Sequence, residues 1–233
     1  MPWSLSRFDD GGDAPQPVLN APAVAVAVAA SMPLLYLVQR WVGDAWVEAL
    51  AFRPASLFDG GWWPGLFSAM FVHGGWAHAG MNAVFALAFG TPVARLLPGP
   101  RGVAAFLLFY MACGVVASAG YGLVHPHSQD ALVGASGAVF GLVGAGIRLM
   151  GGQDRLRPLT DRGLLTTAGL LMLINAAFGL IGVAPGSGGA VVAWEAHAFG
   201  FLFGLLMIGP VARIVSGAPD SFDSPDDLRD PPV

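Results

Sequence analysis

Lysine is absent from this sequence of 233 residues, cysteine occurs once, and charged residues of every kind make up only 11%. A soluble domain carries about 25% charged residues, so the side chains here are too apolar to cover a surface facing water on all sides. With 55% hydrophobic residues and a mean hydropathy of +0.64, lipid is expected as the second solvent. The lone Cys113 excludes a disulfide framework and a cysteine-based metal site, and its apolar neighbourhood suits a packing residue. There is no basic run and the net charge is −4, so nucleic acid is not expected as a partner.

What the chain does have is a series of long intervals without charge. A spanning helix needs about 20 mostly apolar residues. The intervals 22–39, 102–124 and 131–147 each read as one span. The interval 60–94 is longer: Gly60-Gly61-Trp62-Trp63-Pro64-Gly65 reads as loop, and helix is expected from Gly75. The last interval breaks at Pro185-Gly186-Ser187-Gly188-Gly189 into spans 163–183 and 190–215. The expected fold class is therefore an all-α integral membrane bundle of six transmembrane helices. It occupies residues 22–215, between an N-terminal tail, 1–21, and an acidic C-terminal tail, 216–233, both of disorder-like composition. The acidic leader lacks the positive n-region of a signal peptide. A cytoplasmic N-terminus places nine arginines inside or at the inner boundary and only Arg40 and Arg53 outside, so both termini are expected in the cytoplasm. Trp41, Trp46, Trp62, Trp63, Trp76 and Trp194 then fall near the outer boundary.

Polar side chains within membrane spans are costly and usually mark function or an internal partner. Here they are His73, His78, Asn82, Ser136, Asn175, Glu195 and His197. Under the assigned topology, His78 and Asn82 open the second span, Ser136 lies five residues into the fourth, and His197 about seven into the sixth. All lie roughly 5–12 Å below the outer surface at 1.5 Å per residue. A serine hydroxyl needs an adjacent base to act as nucleophile. A tetrahedral oxyanion needs aimed donors, which asparagine, histidine and backbone N–H groups supply. His78 and Asn82 are four apart and share a helix face. Glu195 lies about 200° around the helix from His197, so a Ser–His dyad is expected rather than a triad. Asn175 reads as an interhelical hydrogen-bonding residue, Glu195 as a rim carboxylate, and His125 and His127 as solvated loop residues. His73 and His78, five apart, do not share a helix face, and no metal site is expected.

Small residues surround these groups. Gly134, Gly137 and Gly141 in the fourth span and Gly200 and Gly204 in the sixth let helix backbones approach closely. Packing these spans together would bring Ser136 to His197.

Three motifs resemble the rhomboid family of intramembrane serine proteases: His73-Gly-Gly-Trp-Ala-His78-Ala-Gly-Met-Asn82, Gly134-Ala-Ser136-Gly137, and Ala196-His197-Ala-Phe-Gly200-Phe-Leu-Phe-Gly204. The resemblance runs from about residue 21 to 215. It implies Ser136 as nucleophile and His197 as base, with an oxyanion hole of Asn82, His78 and the Ser136 backbone N–H, supported by His73. It also implies transmembrane protein substrates cut near the outer face at a small residue, and no metal or cofactor. The absence of lysine with abundant alanine, glycine and arginine suits a bacterial plasma membrane. Two departures stand out. Trp63 is followed by Pro64 where many members have Trp-Arg, and Phe140 stands where some have tyrosine. Two other readings remain: an inactive relative that binds membrane clients, and a small transporter. Against the transporter, the polar residues stop in the outer half and no inverted repeat is evident.

Overall fold

The computed structural model describes residues 20–150, 156–182 and 192–217. Most of both expected tails and the 185–189 turn lie outside the described residues. Among the described residues every regular element is a helix, apart from one isolated bridge pairing Phe52 with Leu132. The long helices are α1 (Ala23–Val42), α5 (Trp76–Leu96), α6 (Gly99–Val124), α7 (Ser136–Ile147), α8 (Arg162–Ile181) and α9 (Trp194–Ser216). The segment between α1 and α5, expected as loop, carries three short helices, α2 (Asp44–Leu50), α3 (Pro54–Phe58) and α4 (Gly65–Ser68), and a 3-10 turn, Ala69–Phe71.

Four described helices, α1, α6, α8 and α9, are long and apolar enough to cross a membrane. α5 has 21 residues but carries His78, Asn82 and Arg95. α7 differs most from expectation. Its charge-free interval predicts one helix from residue 131, whereas the helix begins at Ser136 and has 12 residues, a length of roughly 18 Å. The reason is Gly134, whose φ of 116° cannot continue a right-handed helix. The non-helical run before it is tied down instead. Phe52 and Leu132 exchange backbone hydrogen bonds of 3.0 and 2.8 Å, and Gly134 N–H donates to Ala69 O at 2.9 Å. Non-helical backbone at membrane depth is tolerated when protein supplies such partners.

α7 is the core of the bundle, with ten of its residues, Gly137–Val139 and Gly141–Ile147, buried. Its packing against α9 is close enough to exclude a side chain. A Cβ on Gly200 would lie 2.0 Å from Gly137 O, one on Gly204 1.9 Å from Gly141 O, and one on Gly144 2.2 Å from Phe201 O. The expected glycine contact between these two segments is therefore present. On the other side, Gly137 and Gly141 meet Ala117 and the buried Cys113 of α6. At the far end of α7, Arg148 is 7% exposed and donates to Leu205 O and Arg157 O at 3.2 and 3.1 Å.

α8 is held differently. Its N-terminus is capped by Asp161, which accepts from Leu164 N–H at 2.7 Å. Beyond that, Leu164 and Asn175 are its only residues counted as buried, and Leu165, Leu170, Leu173, Leu180 and Ile181 are exposed.

Candidate active site

Ser136 opens α7, and His197 is the fourth residue of α9. The glycine contact between those helices sets Ser136 Oγ 2.8 Å from His197 Nε2. Phe140, one turn along α7, stacks on the imidazole with ring centroids 4.2 Å apart and planes within 5°. Phe140, which stands where some members have tyrosine, thus supplies a flat contact to the ring.

Because Ser136 is the first residue of the helix, its N–H has no partner within the helix, and α7 has no side-chain cap. His78 and Asn82 project from α5 toward the same place. A Cβ on Gly134 would lie 2.6 Å from His78 Cε1, so this position requires glycine both for its φ and for the approach of His78. Asn82 is 6% exposed, and its Nδ2 has no hydrogen-bond partner among the described residues. A buried amide donor left unpaired is costly and calls for an explanation. One is its position on a cavity of about 370 Å³ lined also by His78, Ser136, Asn175, Phe178 and His197. The cavity lies between α5 and α8.

His73 stands behind His78, ring edge to ring face at 5.5 Å. His73 is buried, 1% exposed. Its backbone is gripped by a residue that sequence reasoning missed: Gln39 of α1 donates from Nε2 to His73 O at 2.8 Å and accepts from His73 N–H at 2.9 Å. A single amide thereby fixes the turn into α5.

The remaining polar residues sort themselves by partner. Glu195 faces away from His197, as its phase predicts, and its Oε1 lies 3.1 Å from His125 Nε2. His125 stays partly exposed, as expected of a loop residue, and its contact with the carboxylate arises because α6 ends beside the start of α9. His127 is exposed. Asn175 makes the expected interhelical bonds, but its partners were not foreseen. Its Nδ2 donates to Trp194 O at 2.9 Å, and its Oδ1 lies 2.8 Å from His197 Nδ1.

Apolar helices long enough to cross a bilayer, carrying a serine–histidine pair that lines a partly open cavity, define a multi-pass integral membrane protein with a hydrolase-like centre. Residues 59–214 match the family model for the Rhomboid domain, and the chain belongs to the rhomboid family. It is similar to the Bacillus subtilis (strain 168) Rhomboid protease GluP, 31% identical over 131 residues, covering 56% of this chain and 24% of that protein. It is also similar to the Putative rhomboid protease YdcA of the same organism, 27% identical over 168 residues, covering 70% of this chain and 73% of that protein. The match thus spans about a quarter of the length of the first relative and about three quarters of the second.

Proposed function

We propose that this chain is an intramembrane serine endopeptidase that cleaves transmembrane segments of other membrane proteins near the outer face. The observation that carries the reading is the 2.8 Å contact between Ser136 Oγ and His197 Nε2 at the wall of a cavity that also holds an unpaired Asn82 amide. In the proposed reaction Ser136 Oγ attacks the scissile carbonyl while its proton passes to His197 Nε2. The oxyanion takes hydrogen bonds from Asn82 Nδ2, His78 and the Ser136 backbone N–H. His197 then returns the proton to the leaving amine, and an acyl-enzyme remains on Ser136. Water, deprotonated by His197, releases the acyl group and restores the serine.

The substrate is a transmembrane helix, locally unwound so that its backbone reaches Ser136. The wall between α5 and α8 is its route, because the cavity lies there and α8 is lightly packed. Six spans with both termini cytoplasmic complete the topology; the arginine distribution supports it. A bacterial plasma membrane is the proposed location.

The test is cleavage of a reporter transmembrane substrate by purified protein in liposomes. The wild type should cleave it, and Ser136→Ala and His197→Ala should not. Asn82→Ala should cleave more slowly by about 10²–10³-fold, as for loss of one oxyanion donor. Undiminished cleavage by Ser136→Ala would sink the assignment, and an inert wild type that binds the reporter would favour the client-binding alternative.

A further inference from the structure

We propose that Asn175 is a positioning residue for this reaction, delivered to the site by α8, so that His197 is held in its working form only while α8 is docked. The inference rests on the protease reading and assigns the same site a third member that the expected dyad lacks.

The chemistry follows from one fixed partner. Trp194 O is a carbonyl and only accepts, so the amide group of Asn175 that faces it at 2.9 Å is the NH2. The group facing His197 Nδ1 at 2.8 Å is therefore the carbonyl oxygen, which also only accepts. The proton of the neutral imidazole then sits on Nδ1. That leaves Nε2, 2.8 Å from Ser136 Oγ, as the acceptor the nucleophile needs. In the opposite tautomer Nε2 would carry the proton, the ring could not accept from Ser136, and two acceptors would face each other at Nδ1 and Oδ1.

The placement adds a second consequence. Asn175 is 6% exposed, while only 11% of the apolar window of α8 is buried. This side chain is thus the anchor of a loosely packed helix at the level of the site. Its grip has a close neighbour: a Cβ on Gly179, one turn further along α8, would lie 2.3 Å from Trp194 Cδ1. Gly179 lets α8 rest on Trp194, whose carbonyl Asn175 holds. When a substrate helix parts α8 from the bundle, His197 loses its orienting partner. The ring regains it when α8 closes again, so hydrolysis is confined to the closed state.

The experiment uses the full chain in detergent. It compares wild type with Asn175→Leu, Asn175→Asp and Gly179→Val, each checked for helical content and unfolding temperature. Three readouts apply: the rate at which a fluorophosphonate labels Ser136, kcat and KM on the reporter substrate, and the 15N spectrum of His197. Asn175→Leu should lower kcat and labelling by about 10²-fold, as misplacing a catalytic group does. KM should stay near wild type, and His197 should lose the pure Nδ1–H signature. Asn175→Asp, which still accepts from Nδ1–H but loses the N–H that binds Trp194 O, should keep the signature and recover the rate only in part, above that of Asn175→Leu. Gly179→Val should lower the rate without touching a reacting group. The double variant Asn175→Leu/Gly179→Val should be no slower than Asn175→Leu alone, since both act through one bond. A folded Asn175→Leu protein with wild-type kcat and an unchanged His197 spectrum would overturn the proposal. An inert wild type would instead sink the protease reading, while the 15N spectra still decide whether Asn175 holds the ring.

Discussion

The α7–α9 contact and helix α8 border the same site and are built in opposite ways. Along the α7–α9 contact, glycines bring backbone onto backbone, and nothing larger fits at Gly200, Gly204 or Gly144. Along α8 most of the surface is unpacked: 11% of its apolar window is buried, against 39% for α9. In lipid, helices gain little from hydrophobic contact with one another, so close van der Waals packing and hydrogen bonds decide which pairs stay together. The comparison teaches that the Ser136–His197 distance is set by a rigid pair of helices. The α8 side of the cavity is packed far more lightly, with Asn175 the helix's one buried residue at the site.

The contrast can be broken at graded cost. Gly204→Val should be the most damaging, because the added atoms would collide with Gly141 O, a backbone atom that cannot swing aside. Overpacking of this kind costs about 1–3 kcal/mol, occasionally more, and thermal unfolding in detergent should show the drop together with lost Ser136 labelling. Next comes Gln39→Ala on the rigid side. It leaves the His73 N–H and carbonyl without their partners, a loss of about 1–3 kcal/mol for a buried group, visible as faster hydrogen exchange around residues 72–75.

On the α8 side the effects should be smaller. The Asp161 carboxyl is held below the usual carboxylate range, first by the Leu164 N–H and also by Arg157. A depressed carboxylate stabilises the folded form above its unfolded value, and that contribution fades as pH falls through the lowered one. Hydrogen-exchange protection over residues 162–168, corrected for the intrinsic pH dependence of exchange, should therefore fall in acid in the wild type, and Asp161→Asn should abolish that fall. Smallest of all is Gly169→Ala. Nothing lies within 4 Å of its would-be Cβ, so unfolding should show no loss and a gain of up to about 1 kcal/mol from helix propensity. Equal damage from Gly169→Ala and Gly204→Val would erase the contrast between the two regions.

Much of this was legible because apolar runs and small residues are local signals. Helices α1, α6 and α9 lie close to the charge-free intervals, and the glycines at 137, 141, 200 and 204 announced the contact that joins serine to histidine. The start of α7 was hidden because Ala131-Leu132-Val133 is as apolar as any helix, and composition does not reveal that Gly134 adopts a positive φ. Asn175 was visible as an amide in an apolar helix, but its partners Trp194 and His197 lie 19 and 22 residues away, and composition does not give how α8 and α9 pack. Gln39 gave no signal at all: a glutamine near the end of a span reads as a boundary residue, and its value comes from the backbone 34 residues away that it grips. The pairing of His125 with Glu195, 70 residues apart, depends on how α6 and α9 pack and on nothing local.

The most direct test of the central claim is to locate the covalent adduct left by a fluorophosphonate on the purified protein by peptide mass spectrometry. Modification should fall on Ser136 alone and vanish in His197→Ala, with reporter cleavage blocked in step. An adduct on a different serine, or full reporter cleavage after Ser136 has been completely modified, would contradict it.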